Sequence, residues 1–150
     1  MKDISEILTV DQVCDLKSTR KDDVLVELCG LVSAAPEVTD PSAFLRAIRA
    51  RETVMSTGIG MGVAIPHVKI SSVTDFIMAV GRSRQGIEFD SLDGLPAHIV
   101  ILMGSSDTQA ADFLKLIARV GGLFTRTGFK ERFLDAATSA EMYFLLTDTC

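Results

Sequence analysis

The chain has 150 residues, 47% of them hydrophobic and 23% charged, with 11 glycines and 4 prolines; this excludes a disordered or low-complexity polypeptide and supplies enough apolar surface for one core without a disulfide or metal to hold it. A formal net charge of -5 argues against nucleic acid as a partner, because phosphate backbones are bound by clustered Lys and Arg, and RARE at Arg49 to Glu52 is too short to make such a patch. No stretch reaches the roughly 20 apolar residues of a membrane-spanning helix and MKDISEIL has no leader pattern, so a soluble, unprocessed single domain over residues 1–150 is expected, with no direct membrane insertion.

In chain order, Ile4, Ile7 and Leu8 form a small apolar cluster, and the partial alternation of Val10 to Leu16 predicts a short strand ending at Lys17-Ser18. Thr19 with Asp22 three residues later has the form of a capping box, and Val24, Leu25, Leu28, Cys29, Leu31 and Val32 repeat at helical spacing up to Ala35-Pro36. Asp40-Pro41 opens a second helix, an N-cap followed by proline at the first helical position, with Phe44, Leu45 and Ile48 on its buried face. This helix should run out near Arg51 to Val54, because the glycines at 58, 60 and 62 each cost a helix about 1 kcal/mol.

Val63 to Ile65 and Thr74 to Gly81 are apolar runs of strand length, and Gly86 and Asp93-Gly94 mark turns after them. Ala97 to Gly104 is the clearest strand; its nearly unbroken apolar centre implies a sheet covered by helices on both faces. Ser106 with Gln109 offers a capping box to a helix carrying Phe113, Ile117, Val120 and Phe124 on one stripe. Thr127 is placed to cap a short helix with Phe129 and Phe133, and Thr138 with Glu141 a last one through Tyr143, Phe144 and Leu145. The order of helices, strands and helices, without an internal repeat, predicts an α/β fold (α+β by some schemes) in three layers, helix/mixed β-sheet/helix, in preference to a regular doubly wound sheet.

Cys14, Cys29 and Cys150 are odd in number, far apart and without C-x-x-C spacing, as expected of reduced, buried thiols in the cytosol. Most of the chemical information lies in Arg51 to His67, RETVMSTGIGMGVAIPH. Its GIGMG run is not a dinucleotide fingerprint: that motif follows a strand and opens a helix, the reverse of the order here, and no Walker A lysine is present. The glycines by themselves indicate a tight, irregular loop with positive φ, stiffened at Pro66 and delivering His67, the side chain best suited to act as nucleophile or acid/base at neutral pH. A structural histidine is the alternative, since spacing identifies no base or third group for it. His67 and His98 are the only histidines and lie beside no carboxylate pair or H-x-x-x-H, so neither a metal nor a cofactor is expected; a serine-hydrolase G-x-S-x-G is also missing. His98, at the start of the long strand, reads as a strand-edge surface residue.

RETVMSTGIGMGVAIPH closely resembles the signature of the enzyme IIA domains of the fructose and mannitol class in the bacterial phosphoenolpyruvate-dependent sugar phosphotransferase system, a family that includes a nitrogen-regulatory branch. The resemblance spans the whole chain: the helix after Thr19, the Asp40-Pro41 helix, the signature loop, Gly86, the Asp93-Gly94-Leu95-Pro96 turn, the apolar strand and a helical C-terminal third. It implies the mannitol-type enzyme IIA fold and a cytoplasmic phosphocarrier. His67 would accept a phosphoryl group, at Nε2, from the histidine-containing phosphocarrier protein and pass it to a IIB domain of a membrane transporter, or signal to a regulatory protein through its phosphorylation state. Arg51 matches the family's active-site arginine, and the Ser56 and Thr57 hydroxyls are candidate hydrogen-bond donors to the phosphoryl group.

One position departs from the family pattern. Where a second histidine followed by leucine usually lies early in the helix after the long strand, this chain has Phe113-Leu114. Phenylalanine donates no hydrogen bond to a phosphate, and Phe113 shares an apolar stripe with Ile117 and Val120, which reads as core or pocket wall. Two functional readings are open: a phosphocarrier cycling at His67, expected as a chain without a fused transporter domain, and a non-catalytic regulatory binding module of the same fold, weakened in transfer by Phe113.

Overall fold

The computed structural model describes Lys2 to Asp148. Its elements, in chain order, are α1 (Ile4–Ile7), β1 (Val13–Asp15), α2 (Lys21–Val32), α3 (Pro41–Val54), β2 (Gly58–Gly60), β3 (Val63–Ala64), β4 (His67–Lys69), β5 (Ile77–Ile87), β6 (Ala97–Ser105), α4 (Ala110–Leu123), α5 (Phe129–Asp135) and α6 (Ser139–Thr147). The antiparallel pair β5–β6 is the centre of one mixed sheet ordered β1-β5-β6-β3-β2. β1 runs parallel to β5; β3 and then β4 run parallel to β6, one after the other along its length, with His67 opposite Met103.

Period-two alternation along the central strands divides the interior into two cores. Met78, Val80, Ile99, Ile101 and Met103 face α4, α5 and α6, where Phe113, Leu116, Val120, Phe129, Phe133, Met142 and Leu146 are buried. Ile77, Ala79, Val100 and Leu102 face α2 and α3, meeting Val24, Leu28, Phe44 and Ile48. A sheet buried on both faces explains the continuous apolar run of β6. The expected three-layer arrangement is therefore the one formed.

Several local expectations are corrected. The first strand shrinks to Val13–Asp15, because Val10–Gln12 form a 3-10 turn in which the Gln12 side chain reaches back to the Thr9 N–H. Thr19 caps nothing: extended Arg20 bridges Glu88 and delays the helix to Lys21, without a side-chain cap. The strand expected over Thr74 to Gly81 starts at Ile77 and continues to Ile87, absorbing Gly86 at φ +92° within the irregular register between Arg82 and Ile87 instead of ending before it. Gly128 at φ +81°, not Thr127, precedes α5; α6 runs through Tyr143 to Leu145 as expected and buries Met142 and Leu146. By contrast, Asp40 accepts the Ala43 N–H, Thr138 accepts that of Glu141, and the Gln109 side chain accepts the Ser106 N–H just before α4.

Arg82 in β5 is fully buried and fully paired. Its Nε and Nη2 hold the Asp15 carboxylate at 2.8 and 3.1 Å, and Nη1 donates to the carbonyls of Phe133, Leu134 and Ala136. One side chain thus ties β1 and the C-terminal end of α5 to the sheet. His98 is not a strand-edge residue: β6 is central, and the half-buried ring places Nδ1 2.8 Å from the Ser83 carbonyl. Among the described residues no helix is long and apolar enough to cross a membrane.

Candidate functional site

α3 ends at the sequence's glycine-spaced segment, which folds as a small β2–β3 hairpin rather than an irregular loop. Its turn takes Gly60, Met61 and Gly62 through φ of +93°, +57° and +80°, the left-handed region that glycine enters without steric cost. Gly58 has a different reason: a Cβ there would lie 2.9 Å from the Ser91 Cα, so the hairpin closes only with hydrogen at that position. The chain then leaves β3 through buried Ile65 and Pro66, whose carbonyl accepts the Met103 N–H, and enters β4 at His67.

His67 is half-buried, with Nδ1 2.6 Å from the Ile65 carbonyl. A carbonyl only accepts, so Nδ1 carries the proton and Nε2 the lone pair. The ring stands in a cavity of about 340 Å³ between the end of α3, β4 and the first turns of α4. Arg51, Lys69 and His67 supply its polar lining, and Val68, Ala110, Phe113, Leu114 and Ile117 the rest; among the described residues no carboxylate lines it.

Arg51 lies in the last turn of α3 and donates from Nη1 to the Met55 carbonyl at 2.9 Å, where a cation is favoured by the helix dipole. Among the described residues it makes no ion pair. Lys69 is placed by strand geometry: two residues beyond His67, it projects to the same face. The sequence reading missed it because a lone lysine is indistinguishable from a solvated one until the strand is placed. Two cations without a carboxylate suit a doubly charged anion; at an effective dielectric near 20, a unit pair about 4 Å apart gains about 4 kcal/mol.

Phe113 forms the wall behind the histidine. It is 2% exposed, meets the His67 ring edge-on at a centroid separation of 6.0 Å, and stacks on Phe76 at 6.2 Å. It therefore belongs to the core and the site at once. Ser56 and Thr57 are turned away from the cavity: the Ser56 hydroxyl donates to the Phe89 carbonyl and accepts the Gly58 N–H, while the buried Thr57 gives both its N–H and its hydroxyl to Glu52. Both hydroxyls hold the loop, and neither lines the cavity that His67 enters.

Among the described residues no three His, Cys, Asp or Glu side chains converge in a way that would hold a metal ion. Burial pushes the Cys14 and Cys29 thiols up to about 11 and 12, so neither is a thiolate at neutral pH, and Cys150 lies outside the described residues. A larger depression of about 520 Å³ between α5 and α6 mixes Arg126 and Arg132 with Asp135 and Glu141, and no histidine, cysteine, serine or threonine lines it among the described residues.

The architecture is that of a solved class of proteins. A nitrogen regulatory protein, IIA-Ntr, from Neisseria meningitidis superposes with a TM-score of 0.89 at 26% identity, covering 96% of this chain and 99% of that one. The enzyme IIA of the Escherichia coli mannitol system, solved in complex with phosphorylated enzyme IIB, gives 0.79 at 16% identity over 94% of this chain and 97% of that one, a likeness of fold. Residues 6–149 match the family described as "Phosphoenolpyruvate-dependent sugar phosphotransferase system, EIIA 2". A fructose-specific EIIABC component from Bacillus subtilis (strain 168) is 35% identical over 134 residues, 89% of this chain and 21% of that protein. The chain belongs to the type 2 enzyme IIA family of the phosphotransferase system.

Proposed function

We propose that this chain is a single type 2 enzyme IIA unit that carries a phosphoryl group on His67 Nε2. The observation that carries this reading is the Nδ1–H bond to the Ile65 carbonyl, which leaves Nε2 as the lone-pair atom in a cavity with Arg51 and Lys69 and no carboxylate. The donor is the phosphohistidine of the histidine-containing phosphocarrier protein. The Nε2 pair attacks phosphorus, the donor's P–N bond breaks, and its electron pair returns to the donor imidazole. The Nδ1 proton stays in its bond to Ile65, so the phosphorylated ring bears a positive charge beside the dianionic group.

Such transfer passes through a loose transition state with charge on the equatorial oxygens, and the protein contributes positioning and electrostatic stabilisation. Arg51 and Lys69 supply the latter. Ser56 and Thr57 support the loop through their inward bonds. The phosphoryl group then passes to a IIB domain, as the mannitol relative's complex suggests, or its presence is read by a regulatory protein, as the nitrogen-regulatory relative suggests. The cytoplasm is the compartment this chemistry requires.

The test is incubation with phosphoenolpyruvate, enzyme I and the carrier protein, followed by intact-mass measurement. One acid-labile phosphoryl group is expected on the native chain and none on His67→Ala. No label on the native chain, or a label that survives His67→Ala, overturns the reading. One observation favours the second reading, a non-catalytic regulatory module: the apolar Phe113 wall offers no hydrogen bond to the phosphoryl oxygens. Unlabelled native protein that still binds a IIB domain or regulator would select it.

A further inference from the structure

Glu52 comes directly after Arg51 on α3, and consecutive helical residues point about 100° apart. Arg51 therefore reaches the cavity while Glu52 turns inward, its side chain only 4% exposed. A carboxylate taken out of water costs several kcal/mol unless it is paired and fully hydrogen-bonded. Here both oxygens accept the Thr57 N–H at 3.1 Å, one also accepts the Thr57 hydroxyl, and the Lys21 ammonium stands 3.4 Å away. A neutral acceptor would satisfy Thr57 without that cost.

Thr57 is the first member of a short chain of contacts. Its carbonyl accepts the Ile65 N–H at 3.1 Å, and the Ile65 carbonyl accepts the His67 Nδ1–H at 2.6 Å. Ile65 is buried and, as the residue before Pro66, is confined to extended backbone, so the carbonyl's direction follows from where the Ile65 N–H is held. Displacing the carboxylate moves Thr57, then Ile65, then the imidazole. Lys21 steadies the other end: its ammonium lies 4.7 Å over the Phe89 ring, and the Phe89 carbonyl accepts the Ser56 hydroxyl.

We propose that Glu52, paired with Lys21, is a positioning residue that acts through Thr57 and Ile65 to hold His67 in its Nδ1–H tautomer with Nε2 aimed into the cavity. The inference rests on the phosphohistidine reading of that site. It makes two successive residues of α3 responsible for the two working ends, Arg51 for the charge on the phosphoryl group and Glu52 for the aim of the nucleophile.

The test compares Glu52→Gln, and Glu52→Gln combined with Lys21→Met so that both charges of the pair are removed, with the native chain. Three quantities are read: the thermal midpoint, the His67 tautomer from imidazole nitrogen chemical shifts, and single-turnover phosphoryl transfer over a range of donor concentrations. The variant that folds should show a mixed His67 tautomer and a saturating rate lower by roughly 10- to 100-fold, since a misplacement of about 1 Å costs on that order. The half-saturating donor concentration should stay within about twofold, because the carboxylate is buried away from any docking partner. A folded variant that retains the native tautomer, or the native rate, overturns the proposal and leaves Glu52 a structural staple. The tautomer measurement needs no donor, so it decides on Glu52 even where an unlabelled native chain has overturned the phosphocarrier reading.

Discussion

At the scale of single residues, the cavity is lined by one imidazole, His67, two cations, Arg51 and Lys69, and an apolar wall at Phe113. Removing a cation with Arg51→Met should lower the rate of phosphoryl gain on the order of 100-fold with little change in stability, because the side chain is half-buried and bonds to the Met55 carbonyl at a helix end. Stopped labelling with the phosphorylated carrier measures it. Phe113→His should raise that rate about tenfold by placing a hydrogen-bond donor in the cavity wall. It should also cost about 1–2 kcal/mol, as an imidazole in the Phe76 stack loses apolar area and buries a polar nitrogen. An unchanged rate would show that Lys69 already supplies the missing interaction. Arg51 and His67 stand out in the chain as the two ends of one signature stretch and Phe113 as a position early in the helix after the long strand; the fold brings all three to one cavity. Ser56 and Thr57 read as hydrogen-bond donors to a phosphoryl group because the signature places two hydroxyls beside the glycines, while their direction depends on Glu52 and Phe89, partners that only the folded chain brings near.

Elements are legible where a pattern repeats and obscure where a single tertiary partner decides. α3 and β6 emerge with their caps and lengths, since Asp40-Pro41 and a nine-residue apolar strand each carry their own signal. The extension of β5 through Gly86 does not, because residues 82–86 read as a charged, glycine-ended turn; what makes them strand is Arg82, whose charge is neutralised by Asp15 and three carbonyls deep in the sheet. Arg82→Met should accordingly cost about 3–5 kcal/mol, a large share of the stability of a chain this size, by stranding the carbonyls at the end of α5. Urea unfolding measures this. A loss under about 1 kcal/mol would mean that α5 is held by its Phe129 and Phe133 contacts alone.

At the scale of the whole molecule, the N-terminal end of the described chain and the start of α4 meet the middle through Asp75. The Lys2 ammonium at 2.6 Å, then the Gln109 amide at 3.0 Å, hold its carboxyl down to about 2. A folded-state value below the ordinary carboxylate value means stability that is complete above about pH 4 and is lost as pH falls from about 4 to 2. Asp75→Asn should therefore lower stability at neutral pH by about 1 kcal/mol after allowance for solvent screening of this partly exposed pair. The deficit should vanish near pH 2, as unfolding curves across the acid range will show. A deficit independent of pH would assign the effect to packing.

The two segments on either side of Pro66 share β6 as their template. Val63 and Ala64 lie opposite Ile99 and Val100, and His67 lies opposite Met103, so the chain advances three residues on each strand with no slack between them. The reading frame of the backbone is thereby locked across the Ile65-Pro66 step. A single inserted or deleted residue there would turn every following side chain of β4 to the opposite face. The imidazole would then point to the α2–α3 side of the sheet, away from Phe113. Point substitutions around the hairpin alter how well the histidine is aimed; a change of length by one residue removes it from the cavity altogether.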